Sequence, residues 1–419
     1  MLRLWLLTTL VATVASGFQH RRMQELVEDA GFPLEEHFVE TNDGYVLGVY
    51  RIPHGRQRQR RGLPPGGGPP GGVVLLQHGL LDSSATWVLN RPDQSLGFLL
   101  ADAGFDVWMS NSRGNAFSRN HTGFLPTSPA FWEFSFAEMA AYDLPAAVAY
   151  ILQHTGAATL SYVGHSQGCT QAFAALSADA ALRRQLDVFV ALAPAVYLRR
   201  VSSLPMLFLA RLEIDQLAAL VGAREFLPSR RAASDVFGAL CSAAPPACQS
   251  VLTLLCGYNE DNLNLTRLPT YLAYAPSGTS VKNMEHWAQL VRQSRAGPPS
   301  FRRYDYGACA TPAAAPRTCN RNVYGADTPP EYDLGAIRGV PVALFDGVAD
   351  RLADPIDVES LAEALPPGAV VFRNTQPTFE HLDFTWGLSA AELIYPHVLD
   401  LLFKYSGGHG GGGGGAAAA

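Results

Sequence analysis

Short apolar runs alternate with helical patterns over much of the chain. Six runs have the length and composition of buried strands. They are Val73–Gln77, Phe105–Met109, Leu160–Gly164, Val188–Ala193, Val340–Phe345 and Ala369–Arg373. Five further segments have the apolar spacing of helices: Ser95–Ala103, Phe134–Gln153, Thr170–Gln185, Asp357–Leu365 and Ala390–Tyr405. The second of these should be kinked at Pro145. Buried strands that alternate with helices predict an α/β fold, with a mostly parallel, doubly wound sheet.

Two segments interrupt this alternation. Glu36 to Pro53 reads as a β-hairpin, because Asn42-Asp43-Gly44 is typical of a tight turn. From Tyr197 to Tyr324, apolar residues recur at helical spacing without a clear strand. We therefore predict a core in two parts, residues 18–196 and 325–405, with a mainly helical cap inserted at residues 197–324.

The sequence patterns at the two ends of the chain predict segments that lie outside the folded domain. The basic start, the short apolar run from Leu4 to Ala15 and the small residues Ser16-Gly17 are typical of a secretory signal peptide, residues 1–17. Residues 406–419 are almost entirely Gly and Ala and should be disordered. No internal run reaches the roughly 18 apolar residues that a transmembrane helix needs.

Composition narrows the class of protein. The 419 residues are 48% hydrophobic and 16% charged, so the chain can bury a sizeable core. Its 31 Lys and Arg against 37 Asp and Glu give a net charge of −6, which argues against a nucleic-acid partner. No group of histidines has the spacing of metal ligands, and we expect a monomer without metal or other cofactor.

A secreted chain can form disulfides and carry glycans. Cys241 and Cys248 lie close together in a loop that contains proline, and Cys309 and Cys319 flank another loop. Both pairs look bridgeable, although six cysteines allow 15 full pairings. Cys169 would then stay free, as would Cys256. Two glycosylation triplets begin at Asn120 and at Asn264.

The most specific chemical signal is Gly164-His165-Ser166-Gln167-Gly168. This G-x-S-x-G pattern follows a predicted strand and precedes a predicted helix, which is the setting of a nucleophilic serine. The glycines remove side chains that would clash in so sharp a turn. We therefore predict that Ser166 is a nucleophile, and that His165 packs against or orients its neighbours.

A serine nucleophile needs a histidine base that is oriented by an acid, and here the expected chain order is serine, acid, histidine. Asp350 follows a late strand and fits the acid best, but Asp346, Asp354 and Asp357 are competitors. Asp354 precedes Pro355 and looks like a helix cap. Three histidines follow Asp350. His409 lies in the tail and His397 inside the last predicted helix, which leaves His381 as the base.

Two backbone N–H groups should stabilise the oxyanion that develops when the serine attacks its substrate. One belongs to Gln167, directly after the nucleophile. The other should come from the loop after the first parallel strand, His78-Gly79-Leu80-Leu81, and we assign it to Leu80.

With these motifs the chain resembles the acid lipases of the gastric and lysosomal type, within the α/β-hydrolase fold. Further segments that carry the resemblance are Asn111-Ser112-Arg113-Gly114-Asn115, Pro276 to Met284, Leu352-Ala353-Asp354-Pro355 and His381-Leu382-Asp383-Phe384. The resemblance implies the triad of Ser166, Asp350 and His381. It also implies a cap with a mobile lid, and triacylglycerols or sterol esters as substrates at a lipid–water interface and at acid pH.

The expected activity is therefore serine-dependent hydrolysis of neutral lipid esters through an acyl-enzyme, in the lysosome or outside the cell. Two other functions stay open at this point. One is an esterase or thioesterase for soluble substrates, and the other is a binding protein that uses a hydrolase fold without catalysis.

Overall fold

A nine-stranded sheet forms the centre of the protein in a computed structural model, which describes residues 23–57, 71–211, 224–227, 259–309 and 318–406. Its strands are β1 (Glu35–Glu40), β2 (Tyr45–Ile52), β3 (Val73–Gln77), β4 (Asp106–Ser110), β5 (Asn120–His121), β6 (Leu160–His165), β7 (Leu186–Leu192), β10 (Val342–Gly347) and β11 (Val370–Gln376). The strand order is β1-β2-β4-β3-β6-β7-β10-β11, and β5 pairs with β2. The run from β4 to β11 is parallel, and the predicted hairpin β1–β2 adds antiparallel strands at one side.

The sheet is covered on both faces, as the sequence predicted. Every residue of β3, β4, β6, β7 and β10 is buried. This explains why these strands read as continuous apolar runs rather than as alternating ones. The last strand, β11, is only partly buried and continues through three polar residues to Gln376. Its predicted end at Arg373 was therefore too early.

The described residues contain the α-helical segments α1 to α14, and residues 56–57 are helical as well. The first spans residues 23–28 and is α1. The others are α2 (Leu96–Asp102), α3 (Phe136–Glu138), α4 (Leu144–Thr155), α5 (Gln167–Ala178), α6 (Ala180–Arg184), α7 (Leu204–Arg211), α8 (Leu268–Tyr274), α9 (Val281–Ala296), α10 (Asn320–Tyr324), α11 (Pro355–Ala364), α12 (Asp383–Trp386), α13 (Ala390–Leu393) and α14 (Tyr395–Tyr405).

Three predicted helices are interrupted in the structure. The segment predicted over Phe134–Gln153 contains a π-helical turn, Met139–Asp143, directly before Pro145. The wider turn accommodates a proline that has no N–H to donate. The segment Thr170–Gln185 begins earlier, at Gln167, and breaks where the Asp179 side chain caps α6.

The last predicted helix, Ala390–Tyr405, divides into α13 and α14. The break falls at Ile394, two residues before Pro396, which lies in the first turn of α14. The expectation of one continuous helix was wrong, because the apolar period of the sequence continues through the break.

The segment predicted as a cap contains α7, α8, α9 and α10 within its described residues. It also contains a short antiparallel pair, β8 (Glu225–Phe226) with β9 (Thr279–Ser280), which the sequence did not indicate. The limits of the insertion at residues 197 and 324 stay a prediction. Within the described ranges, no helix is both long enough and apolar enough to cross a membrane.

Candidate active site

Ser166 stands in a sharp turn between β6 and α5. Its backbone has φ 53° and ψ −118°, so a residue with a side chain is held at a positive φ that such residues rarely adopt. Gly168 tolerates no side chain, because a Cβ there would lie 2.4 Å from the carbonyl oxygen of Gln77. At Gly164 a Cβ would lie 2.9 Å from the amide nitrogen of Cys169. The two glycines therefore allow β6, the turn and α5 to pack against β3, with Ser166 at the carboxyl end of the sheet.

His381 lies between Ser166 and Asp350. Its Nε2 is 2.7 Å from Ser166 Oγ, and its Nδ1 is 2.8 Å from Asp350 Oδ2. When Nδ1–H donates to the carboxylate, Nε2 is free to accept the serine proton. All three residues are buried. The structure thus brings together residues that are far apart in the sequence. Asp350 is 31 positions from His381, and Ser166 is 215 positions from it.

Backbone hydrogen bonds orient the Asp350 carboxylate. Its Oδ1 accepts from Leu352 N–H at 2.7 Å and from Ala353 N–H at 2.9 Å. The second oxygen therefore points toward His381. This local turn immediately follows β10, where the sequence placed the acid.

The three competing aspartates have other partners. Asp346 accepts from Arg373 and from Thr375, and burial raises its pKa. Asp354 caps α11 by accepting from Ile356 N–H, as predicted. Asp357 accepts from Arg200 N–H at 2.8 Å. Among the described residues, only Asp350 forms a carboxylate hydrogen bond with the ring of His381.

The predicted oxyanion donors lie next to the nucleophile. A Cβ on Gly79 would lie 3.1 Å from Ser166 Cβ, so the loop that carries Leu80 passes directly over the serine. Gln167 is the first residue of α5, where a backbone N–H has no intrahelical acceptor. Within the described part of the chain, neither the Leu80 nor the Gln167 N–H donates to a protein acceptor. Their role as oxyanion donors stays a prediction.

Two further histidines support this arrangement. His165 Nε2–H donates to the carbonyl oxygen of His381 at 3.0 Å, which agrees with its predicted orienting role. His78, whose role the sequence did not indicate, donates from Nδ1 to the Gly79 carbonyl oxygen at 2.7 Å and accepts from Ser112 N–H. Burial lowers the pKa of His165 to about 3 and that of His78 to about 4, so both rings stay neutral at moderately acid pH.

The remaining predicted sites lie apart from this cluster. Asn120 is exposed on β5, and Asn264 is partly exposed. Cys309 and Cys319 form a disulfide, and Cys169 is a free, buried thiol. The predicted Cys241–Cys248 bridge lies outside the described residues, as do Cys256 and the signal peptide.

One group of possible metal ligands occurs in the described ranges, at Glu35, His37 and His154 on β1 and α4. The Arg51 guanidinium already donates to Glu35 at 2.8 Å and approaches His154 at 3.5 Å. A cation of the protein therefore occupies the space between these side chains. The expected absence of a metal stays a prediction.

Comparison with known proteins first identifies the class of protein to which this chain belongs. The alpha/beta hydrolase fold family matches residues 72–387, and the partial alpha/beta-hydrolase lipase region matches residues 23–91. A soluble variant of monoglyceride lipase from Saccharomyces cerevisiae has a similar fold, with TM-score 0.52 and 14% identity over 90% of this chain and 96% of that one. The predicted α/β-hydrolase fold is confirmed.

Curated relatives give the family within that class. The human lysosomal acid lipase/cholesteryl ester hydrolase is 41% identical over 386 residues, which cover 91% of each chain. The rat gastric triacylglycerol lipase is 38% identical over 383 residues, again 91% of each chain. The chain belongs to the acid lipase family, as its motifs predicted.

Proposed function

We propose that this protein is a serine lipase that hydrolyses the carboxylic ester bonds of neutral lipids at acid pH. The observation that carries the proposal is the hydrogen-bonded chain from Ser166 through His381 to Asp350. Relatives named for triacylglycerol and cholesteryl ester hydrolysis supply the substrate class, triacylglycerols, cholesteryl esters or both.

Acylation begins when His381 Nε2 takes the proton of Ser166 Oγ as that oxygen attacks the ester carbonyl carbon. The carbonyl oxygen becomes an oxyanion, which accepts hydrogen bonds from the Leu80 and Gln167 N–H groups. Asp350 keeps the Nδ1 proton in place and stabilises the charged ring. His381 then gives its Nε2 proton to the leaving alcohol oxygen as the carbon–oxygen bond breaks, and the acyl group stays on Ser166.

Deacylation repeats these steps with water as the nucleophile. His381 takes a proton from water, whose oxygen attacks the acyl carbon, and the same two amides hold the second oxyanion. The Ser166–acyl bond then breaks, the proton returns to Ser166 Oγ, and a fatty acid leaves. The residues named here complete both half-reactions without a cofactor.

The two other functions are less well supported. A binding protein without catalysis would have no use for a serine, histidine and aspartate at hydrogen-bond distance. A soluble-ester esterase has no evident need for the apolar surface of α7, where Leu204 is 65% and Phe208 61% exposed. A lysosomal or extracellular location and a monomeric state complete the proposal. The predicted signal peptide and the named relatives support the location.

The test compares three esters at acid pH: emulsified trioleoylglycerol, emulsified cholesteryl oleate and a soluble short-chain nitrophenyl ester. We expect the wild-type protein to release fatty acid from at least one emulsion, and Ser166→Ala to release none. Ser360→Ala, which alters a partly exposed serine of α11, is the matched control. Turnover of the soluble ester alone would favour the esterase, and no turnover of any ester would favour a binding protein.

A further inference from the structure

The segment from Ser277 to Trp287 lies in the predicted insertion. It contacts one predicted oxyanion donor, Gln167, and the residue that follows the other, Leu81. We infer that Asn283, Trp287 and Ser277 are positioning residues that hold the two oxyanion amides in their catalytic geometry. This inference rests on the proposed function, because it assumes that the Gln167 and Leu80 N–H groups bind an oxyanion. It explains why the insertion carries a polar motif, Pro276 to Met284, that contributes no group to the triad.

The Gln167 side chain is fixed from α9. Its Oε1 accepts from Trp287 Nε1–H at 2.7 Å and from Asn283 Nδ2–H at 2.8 Å. All three side chains are buried, so water does not compete for these hydrogen bonds. Gln167 also carries the amide predicted to face the oxyanion. Fixing its side chain therefore limits rotation of the first turn of α5 and of the N–H that this turn presents.

The second donor is held by the loop before α9. Ser277 N–H donates to the carbonyl oxygen of Leu81 at 2.7 Å, one residue beyond Leu80. Leu81 has φ 59°, so its peptide stands in an uncommon conformation that needs outside support. Ser277 is itself fixed, because its carbonyl oxygen accepts from Ala116 N–H at 2.9 Å.

The residue types in this segment match these roles. Asn283 donates to Gln167 from Nδ2 while its Oδ1 accepts from Phe136 N–H at 2.8 Å. Only a side chain with both a donor and an acceptor satisfies both neighbours, which an amide does. Ser280 caps α9 by accepting from Asn283 N–H at 2.9 Å, and its hydroxyl donates to the Phe134 carbonyl oxygen. The start of α9 is therefore anchored to the backbone of Phe134 and Phe136 as well as to the side chain of Gln167.

Preorganised donors act on the transition state more than on the bound substrate. Loss of a positioning hydrogen bond should therefore lower kcat and leave KM nearly unchanged. It should also weaken tetrahedral adducts, whose oxygen occupies the same place as the oxyanion. A residue that only stabilises the fold would instead lower the fraction of folded protein and leave kcat per active site unchanged.

The first experiment compares Trp287→Phe with Trp108→Phe in the full-length protein, with a soluble ester and an alkyl boronic acid. Trp108 is a matched control because it is buried in β4 and its indole N–H has no partner among the described residues. We expect Trp287→Phe to lower kcat per titrated active site about tenfold, with KM within about twofold and weaker boronate binding in proportion. Trp108→Phe should leave all three values near those of the wild type.

In a second variant, Asn283→Asp, the hydrogen bond to Gln167 should depend on pH. The introduced carboxyl can donate to Gln167 Oε1 when it is protonated and cannot when it is ionised. The ratio of its kcat to that of the wild type should therefore fall as the pH rises from about 4.5 to about 7.5. This variant also covers the case in which Trp287→Phe does not fold.

Failure of this inference and failure of the proposed function give different results. If wild-type protein turns over the ester and Ser166→Ala does not, the proposed function stands. An unchanged kcat in folded Trp287→Phe, or a constant kcat ratio for Asn283→Asp across the pH range, then overturns the positioning role. If the wild-type protein turns over no ester, the proposed function itself fails.

Discussion

At the residue scale, backbone geometry rather than side-chain type selects the acid of the candidate site. Four aspartates lie between residues 346 and 357, and each is held by hydrogen bonds. Asp350 differs because two backbone amides take one of its oxygens and leave the other facing His381. Chain order and the position after β10 already favoured this residue, whereas its two amide donors became evident only in the structure.

Replacement of this carboxylate should therefore be far more costly than replacement of its neighbour. Asp350→Asn should lower kcat about 10⁴-fold, because an amide at this position favours the wrong tautomer of His381. Asp354→Asn should leave kcat within about twofold, since asparagine caps a helix as well as aspartate does. Steady-state rates on a soluble ester measure both. A large loss of kcat in Asp354→Asn, or no loss of kcat in Asp350→Asn, would contradict the assignment of Asp350 as the acid.

The catalytic role of Ser166, His381 and Asp350 stays a prediction, but their grouping was predictable, because the motif, the chain order and the elimination of other histidines need only the sequence. The supporting residues were not. His78 contacts Ser112, 34 positions away, and Trp287 contacts Gln167, 120 positions away. No local pattern marks such pairs, since each depends on how distant segments pack. The one available signal was the polar motif from Pro276 to Met284, which stands out in a mainly apolar insertion.

At the element scale, the turn between β6 and α5 is the feature that most constrains the sequence. Gly168→Ala should destabilise the protein by about 3 kcal/mol, because its Cβ would meet backbone carbonyl oxygens that cannot move without shifting β3. Gly297→Ala is the matched control, since a Cβ at that position meets no atom within 4 Å. Urea unfolding measures both variants. Equal stability of the two would show that the packing between β3 and α5 is looser than described.

Buried elements were predicted better than breaks within elements. The limits of β3 were found to the residue, because this short run lies between Gly71-Gly72 and His78-Gly79, which mark both of its ends. The kink expected at Pro145 only approximated the π-helical turn at Met139–Asp143, and the break at Ile394 was missed. Both depend on how a nearby proline is accommodated, and hydrophobic periodicity continues through both. The pair β8–β9 has two residues in each strand, too few for any alternation to show.

At the scale of the whole molecule, buried ionisable groups act on stability with opposite signs. Burial lowers the pKa of His78 and of His286 to about 4 and that of His165 to about 3. The unfolded chain therefore binds more protons than the folded one below about pH 6.5, and these three residues destabilise the fold as the pH falls. Burial raises the pKa of Asp82 and of Asp383 to about 7, so their contribution is present in acid and is lost as the pH rises.

This balance predicts the pH response of Asp82→Asn. The side chain lies in the loop after β3 and accepts from Ser83 N–H at 2.7 Å, which an asparagine oxygen can also do. The wild-type protein loses stability at this position as the pH rises from about 4 to about 7, whereas the variant has no proton to lose. The variant's melting temperature, relative to the wild type, should therefore rise across that range. A constant or falling difference would contradict the burial of a neutral carboxyl here.

The exposed apolar face of α7 should act on lipid surfaces only. Phe208→Ser removes a side chain that is 61% exposed and should lower the rate on emulsified trioleoylglycerol about tenfold, because less apolar area can enter the interface. The kcat/KM for a soluble ester should not change. Phe38→Ser, at 50% exposure on β1, is the control and should leave both rates unchanged. Equal effects of Phe208→Ser on both substrates would place α7 at the active site rather than at the interface.

The most direct measurement is covalent labelling of the folded protein with a fluorophosphonate, followed by peptide mass analysis. The phosphonyl group should be found on Ser166 alone. Among the described residues, only this hydroxyl lies at hydrogen-bond distance from a histidine that a carboxylate orients. Labelling should be absent in His381→Ala at equal folded concentration. Stoichiometric labelling of another serine, or undiminished labelling without His381, would contradict the assignment of this triad.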